Sequence, residues 1–227
     1  PNPSVETLLH ALLPHKYVDH THSNAILSLV NLKNSPKVLN KIFGKKLAIV
    51  PYIMPGFQLA NKCFQIFKKN KNVEGLLLLN HGIFTFGDDA KQSYDRMIKY
   101  VSLAEKHINN KKSNHKYEKN KINNFSLDLI MQCRKIFYQI DQNKWIINLN
   151  SSKDDIEFSL LENIDTLFTK GPVTPDHVIR IKAQPLVIKQ NDLIKINKNQ
   201  NYLNVLIKKY CQNYINYFQK YKNQIKN

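Results

Sequence analysis

Asp19-His20-Thr21-His22-Ser23 sets two histidines two residues apart at the end of a short apolar run. In an extended strand successive side chains alternate between faces, so His20 and His22 project from one face and can grip a single ion. Two imidazoles make half a metal site. A third candidate is His81, in Asn80-His81-Gly82, which follows the apolar run Gly75-Leu76-Leu77-Leu78-Leu79. That run reads as a fully buried strand ending in a glycine-containing turn. Three imidazoles with one open position form the donor set of a catalytic zinc, and neutral imidazole suits that ion. Each histidine taken alone has a competing reading as a hydrogen-bonded core residue; the spacing of the three carries the metal reading.

The neighbouring titratable groups are read in the same way. Glu6 and His10 are four residues apart and share a face of a helix over Val5 to Leu13, capped by Ser4 and bounded by Pro3 and Pro14. By position alone Glu6 is a capping partner in a first helical turn. His10 stands either behind the metal ligands or packed on its own helix. Asp19 either orients a ligating imidazole or faces a sheet edge, because adjacent strand positions point opposite ways. His15, after Pro14, reads as solvated; His107 and His115 border a linker. His177, Arg180 and Lys182 form a cationic group after a proline-containing turn, suited to a substrate phosphate. A surface ion-pair cluster with Asp176 is the competing reading.

Further elements must position these groups. The pattern predicts a strand at Lys16 to His20 and a helix over Asn24 to Leu32 that Ser35-Pro36 breaks. A buried strand at Leu47 to Val50 is stopped by Pro51, and Met54-Pro55-Gly56 reads as a turn feeding a helix over Gln58 to Lys68. Gly82 to Gly87 alternates as a strand or turn. Asp88 opens a long helix to about His107, with Tyr94, Met97, Ile98, Val101 and Ala104 on one side. Residues 108–124 are Asn- and Lys-rich with little to bury, and read as a linker. Beyond it come a helix at Leu127 to Gln139, a mixed region to Lys170, a proline-bounded strand at Leu186 to Ile188 and a helix over Leu203 to Lys222. Alternating strands and helices by themselves suggest a parallel sheet.

At 227 residues the chain has enough length for an ample core with an extension. The first residue is not methionine and both ends read as cuts, so the chain is expected to be a fragment. A formal charge of +17 invites a nucleic-acid reading, yet of 34 basic residues only Arg96, Arg134 and Arg180 are arginine, the side chain that forks onto phosphate. The expectation is no nucleic-acid partner. Cys63, Cys133 and Cys211 follow no metal spacing and read as buried free thiols in a reducing cytoplasm. No apolar run approaches the ~20 residues a membrane span requires, and no membrane partner is expected. No glycine-rich dinucleotide fingerprint is present, so no NAD site is assigned.

The block Pro3-Ser4-Val5-Glu6-Thr7 with His10, His20-Thr21-His22 and Asn80-His81-Gly82 resembles the class II aldolase and adducin family. Glu6 to His10, Asp19-His20, and Thr174-Pro175-Asp176-His177 with Arg180 and Lys182 are similar to its branch in which a rhamnulose-1-phosphate aldolase is fused to a C-terminal short-chain dehydrogenase. The resemblance implies a three-layer α/β/α domain with a mixed, largely antiparallel sheet and a C-terminal α/β extension. Its boundaries would be 1–107 for the aldolase domain, 108–124 for the linker and 125–227 for the extension. It further implies zinc on His20, His22 and His81, Glu6 as the catalytic acid or base, and cleavage of a ketose phosphate to dihydroxyacetone phosphate and an aldehyde. A homo-oligomer is implied, as is a dehydrogenase domain C-terminal to residue 227. An epimerase or decarboxylase on the same zinc site, or a metal-free interaction module like adducin, are the alternatives; retention of Glu6 and all three histidines favours the lyase.

Overall fold

The computed structural model describes residues 3–111, 127–173, 177, 180–199 and 201–224. The chain divides into two compact units, Pro1–Ser113 with Pro172–Ile181, and Asn114–Gly171 with Lys182–Asn227.

The first unit runs α1 (Thr7–Leu12), β1 (Tyr17–Thr21), α2 (Asn24–Val30), α3 (Ser35–Phe43), β2 (Leu47–Val50), α4 (Phe57–Lys69), β3 (Gly75–Leu78), β4 (Gly82–Gly87) and α5 (Ala90–Asn109). Its sheet has the order β1-β4-β3-β2. The α4 crossover brings β3 alongside β2 in parallel, whereas the short loop after Leu78 can only return β4 antiparallel, as β1 also is. The sheet is therefore mixed and largely antiparallel, and the all-parallel arrangement suggested by alternation alone does not occur. Period-two geometry divides the core. Leu76, Leu78, Phe84 and Phe86 face α1 and α4, while Leu77 and Ile83 face α2, α3 and α5. Helices cover both faces, giving three layers. Every residue of β3 and β4 is buried, which is why β3 reads as an unbroken apolar run, while the alternation read at Gly82 to Gly87 comes from Thr85, itself buried.

Two local expectations change. The helix expected to run to Leu32 ends at Val30, capped at Asn31, and Ser35-Pro36 starts α3 instead of breaking α2, because a proline in the first turn lacks only an N–H that has no intrahelical partner there. Along α5 the buried stripe is Ser93, Met97, Tyr100 and Ala104, while Tyr94 and Ile98 face outward. The helix opens at Ala90, with Asp89 Oδ1 accepting from the Gln92 N–H at 2.8 Å. At the far end of the sheet Glu74 accepts from the Tyr100 hydroxyl and from Lys99 at 3.1 Å, and pairs with Lys46 at 3.2 Å.

The second unit contains α6 (Leu127–Asp141), α7 (Lys153–Ser159), α8 (Ile164–Phe168), α9 (Gln190–Lys198) and α10 (Asn201–Tyr221). Its core is small: Leu129, Ile136, Ile196, Leu203 and Ile207 are buried together. Among the described residues it has no strand, so the extension expected as α/β is helical there. Leu186 to Ile188 is irregular chain whose Leu186 and Ile188 side chains pack on this core. Pro185 cannot donate to a ladder, and no described strand lies beside it. Most of the expected linker falls in residues 112–126, outside the described residues. No helix among the described residues is long and apolar enough to cross a membrane.

Candidate metal centre

Glu6, His20, His22 and His81 each bring one ligand atom to within 4.8 Å of all the others. Three elements and a loop accomplish this. β1 pairs with β4 so that His20 lies opposite Phe84 and Thr21 opposite Ile83, and His22 follows the last residue of β1. The register lets the Phe84 ring stack on the His20 imidazole at 3.9 Å between centroids and 9° between planes. The His20 Nδ1–H donates to the Ile83 carbonyl at 2.9 Å, which points Nε2 into the cluster.

His81 is delivered by the loop between β3 and β4. Asn80 there has φ 57°, a left-handed conformation that asparagine tolerates better than most side chains. Its amide donates to Asn31 Oδ1 at 2.9 Å and its backbone N–H to the Val30 carbonyl at 3.3 Å, so the end of α2 holds the loop. Gly82 follows because nothing larger fits: a Cβ would stand 2.6 Å from the Thr21 carbonyl oxygen and 2.8 Å from His22 Cδ2.

Glu6 occupies the N-cap position of α1, yet its side chain caps nothing. Its own N–H donates to Ser4 Oγ at 3.2 Å, leaving the carboxylate free to reach His20 Nε2 at 3.1 Å and His81 Nε2 at 3.0 Å. His20 and His22 Nε2 atoms are 2.9 Å apart. The His81 residue is 2% exposed, and its Nδ1 is buried with no hydrogen-bond partner among the described residues. Hydrogen bonding to His20, then to His81, holds the Glu6 carboxyl well below the usual carboxylate range, against the upward push of burial.

The donor set is chemically short of protons. His20 spends its Nδ1–H on Ile83, so a neutral His20 presents a lone pair to the lone pairs of Glu6. The contact is favourable only with an added proton on Nε2 or with a cation between the groups. Two ligands each about 2.0–2.2 Å from one ion stand roughly 3.3 Å apart, close to the separations seen here, so the residues fit a metal ion.

Several sequence readings are placed differently. Asp19 lies opposite Thr85 in the ladder and, with His10 and His15, lines a separate 270 Å³ pocket along β1; the oxygen that orients His20 is a backbone carbonyl instead. His10 meets the Phe84 ring edge-on at 5.4 Å, behind the stack on His20. His15 is not simply solvated: it stacks on Phe86 at 4.2 Å, and burial pushes its pKa down. His177 and Arg180 are exposed residues of the first unit, whereas Lys182 belongs to the second, where its ammonium stands 3.9 Å over the Tyr214 ring. Asp176 and His115 lie outside the described residues. Ile83, Phe84, Asn80 and Asn31 were missed as supports. The left-handed preference of Asn80 is the one local signal that pointed to them.

Comparison with known proteins adds a second line of observation. The family model for the class II aldolase and adducin N-terminal domain matches residues 1–108, and that for the class II aldolase second domain matches residues 126–227. An uncharacterised oxidoreductase of Bacillus subtilis (strain 168), YuxG, is 31% identical over 200 residues, covering 84% of this chain and 29% of the relative. The chain thus spans less than a third of that relative's length. Among solved structures, the N-terminal class II aldolase domain of a conserved Thermoplasma acidophilum protein is 48% identical, covering 48% of this chain and 49% of that one with a TM-score of 0.44. A sugar-phosphate aldolase from Thermotoga maritima is 23% identical, covering 48% and 54% with a TM-score of 0.40. With one family model on the stretch that carries the histidine and glutamate cluster and the other on the rest, the chain belongs to the class II aldolase and adducin family.

Proposed function

We propose that the chain is the aldolase part of a zinc-dependent lyase that splits a ketose phosphate into dihydroxyacetone phosphate and an aldehyde. The observation that carries this reading is the meeting of Glu6 with three Nε2 atoms at one point. His20, His22 and His81 would hold the ion. Zinc bound there supplies Lewis acidity, drawing off the charge that develops on the carbonyl side as the carbon–carbon bond breaks.

The protein's own groups do the rest. The Ile83 carbonyl and the Phe84 ring fix His20 in one tautomer and one plane. Glu6, held ionised at neutral pH, is the acceptor for the hydroxyl proton lost on cleavage and the donor that returns a proton to the dihydroxyacetone carbon. His177 and Arg180 are exposed residues of the same unit and are proposed to serve the substrate phosphate. Residues 1–107 would act as the aldolase domain and 125–227 as its extension. The oxidoreductase name and greater length of the Bacillus relative support a reading in which a dehydrogenase domain accompanies this part. A cytoplasmic homo-oligomer completes the proposal.

The test is aldol cleavage of a panel of ketose phosphates, rhamnulose 1-phosphate included, before and after chelation and after zinc is restored. Turnover that is lost with the metal and regained with zinc is expected. Turnover unchanged by chelation would sink the metal-lyase reading, and epimer formation without cleavage would replace it with the epimerase.

A further inference from the structure

Lys182, read in the sequence as part of a phosphate-binding cluster, lines a groove of 370 Å³ in the second unit. One wall is the stretch Lys182–Leu186 and the other is a face of α10. Helical spacing explains that face: Leu206, Tyr210, Tyr214 and Tyr217 recur at intervals of four, four and three. The Tyr210 hydroxyl donates to the Gln184 carbonyl at 2.8 Å and ties the two walls together. The Lys182 ammonium already covers one face of Tyr214, and Tyr217, which stacks on Tyr214 at 6.4 Å and 28°, is 49% exposed, so the aromatic surface left to the groove is that of Tyr217. Lys182 and Lys209 are both exposed, and among the described residues neither has a carboxylate partner. Among the described residues no acidic side chain lines the groove.

Those features define a ligand. An apolar floor edged by the exposed Tyr217 ring takes a flat ring, since every heteroaromatic base has a π-face to stack. Two ammonium groups without counter-charges take a phosphate. The volume lies near the lower end of the ~300–1,000 Å³ common for ligand sites, which suits one ring with one phosphate and is small for a dinucleotide. We infer that this groove is a second ligand site, built from residues other than the imidazole cluster, for a mononucleotide: a flat base bearing a single phosphate group.

The probe is AMP, titrated calorimetrically into the whole chain, with adenosine and inorganic phosphate as separate arms. One AMP per chain is expected with Kd below about 1 mM, adenosine and phosphate each binding at least about tenfold more weakly because each keeps only half of the recognition. Lys209→Gln and Lys182→Gln should each weaken AMP about tenfold; both side chains are exposed, so the variants keep the fold. Tyr214→Leu should weaken it similarly, with helicity checked by circular dichroism. AMP should bind His22→Ala as well as the parent, which separates this site from the metal centre and from the lyase reading. Absence of AMP binding would overturn the inference. So would phosphate binding as tightly as AMP, AMP binding indifferent to Lys209→Gln, or self-association that Tyr214→Leu abolishes, which would assign the groove to a second copy of the chain.

Discussion

The two units solve the problem of burying an apolar surface in different ways. In the first, β3 and β4 are buried along their whole length and the core lies on both faces of the sheet. In the second, the helices α6, α9 and α10 share a core of five buried residues among those described, and large apolar side chains such as Leu127, Met131, Ile146 and Phe218 stay exposed. A strand sandwiched between helix layers has its register fixed by every alternate side chain, since a slip of one residue would exchange the two faces. A metal site needs ligand atoms held to within fractions of an ångström, and the Glu6, His20, His22 and His81 group proposed to hold one stands beside the ends of those strands. The looser unit presents a groove whose recognition by stacking and charge tolerates small movements.

That contrast can be broken at several points. The largest effect is expected for His22→Ala, which should abolish metal binding, measured by elemental analysis and calorimetry, while the thermal midpoint moves by no more than about 4 °C. Full metal occupancy in this variant would mean the wrong ligands have been assigned.

The cores should differ next. Leu76→Ala, in a residue 0% exposed between helix layers, is expected to cost about 4 kcal/mol, and Leu129→Ala, 8% exposed, about 2 kcal/mol. The single tryptophan, Trp145, lies in the second unit, so its fluorescence in urea follows that unit while hydrogen exchange at β3 and β4 follows the first. Equal losses would erase the distinction drawn between the cores.

Gly82→Ala tests how closely the imidazoles are seated. The added methyl would meet the Thr21 carbonyl and His22, and metal affinity should fall about tenfold, comparable with losing an outer support. Unchanged affinity would show that the strand end gives way freely.

The smallest effect concerns Glu74. Burial pushes its carboxyl up, but hydrogen bonds from Tyr100, Lys99 and Lys46 outweigh that and bring it from 4.5 to about 2. A lowered folded-state value contributes stability above the unfolded-state value of 4.5, lost as pH falls through about 2. Glu74→Gln should therefore cost about 1 kcal/mol at pH 7 after solvent screening, with the gap between variant and parent closing towards pH 2 in unfolding experiments. A gap that widens on acidification would contradict the assignment.

Much was legible without coordinates. The His20 and His22 pair shares a face because strand geometry is local, and the runs at Leu47 and Gly75 declare buried strands by composition alone. Repetition within a few residues needs no knowledge of distant partners. Other features depended on such partners. The stripe that α5 buries was shifted in the sequence reading because two neighbouring stripes were similarly apolar and only the helices α2 and α3 select between them. Reading Ser35-Pro36 as a break concealed α3, since a proline in a first turn starts a helix as readily as it stops one.

The sequence by itself determined which side chains could ligate a metal and that two of them stand at the end of one strand. Only the tertiary structure decided that the Glu6 side chain turns from capping to meet His20 and His81, and that Ile83 and Phe84 hold the His20 ring. The physical reason is range: periodicity records what one element buries, whereas the approach of groups 75 positions apart, as Glu6 and His81 are, follows from sheet register and helix packing that no short stretch contains.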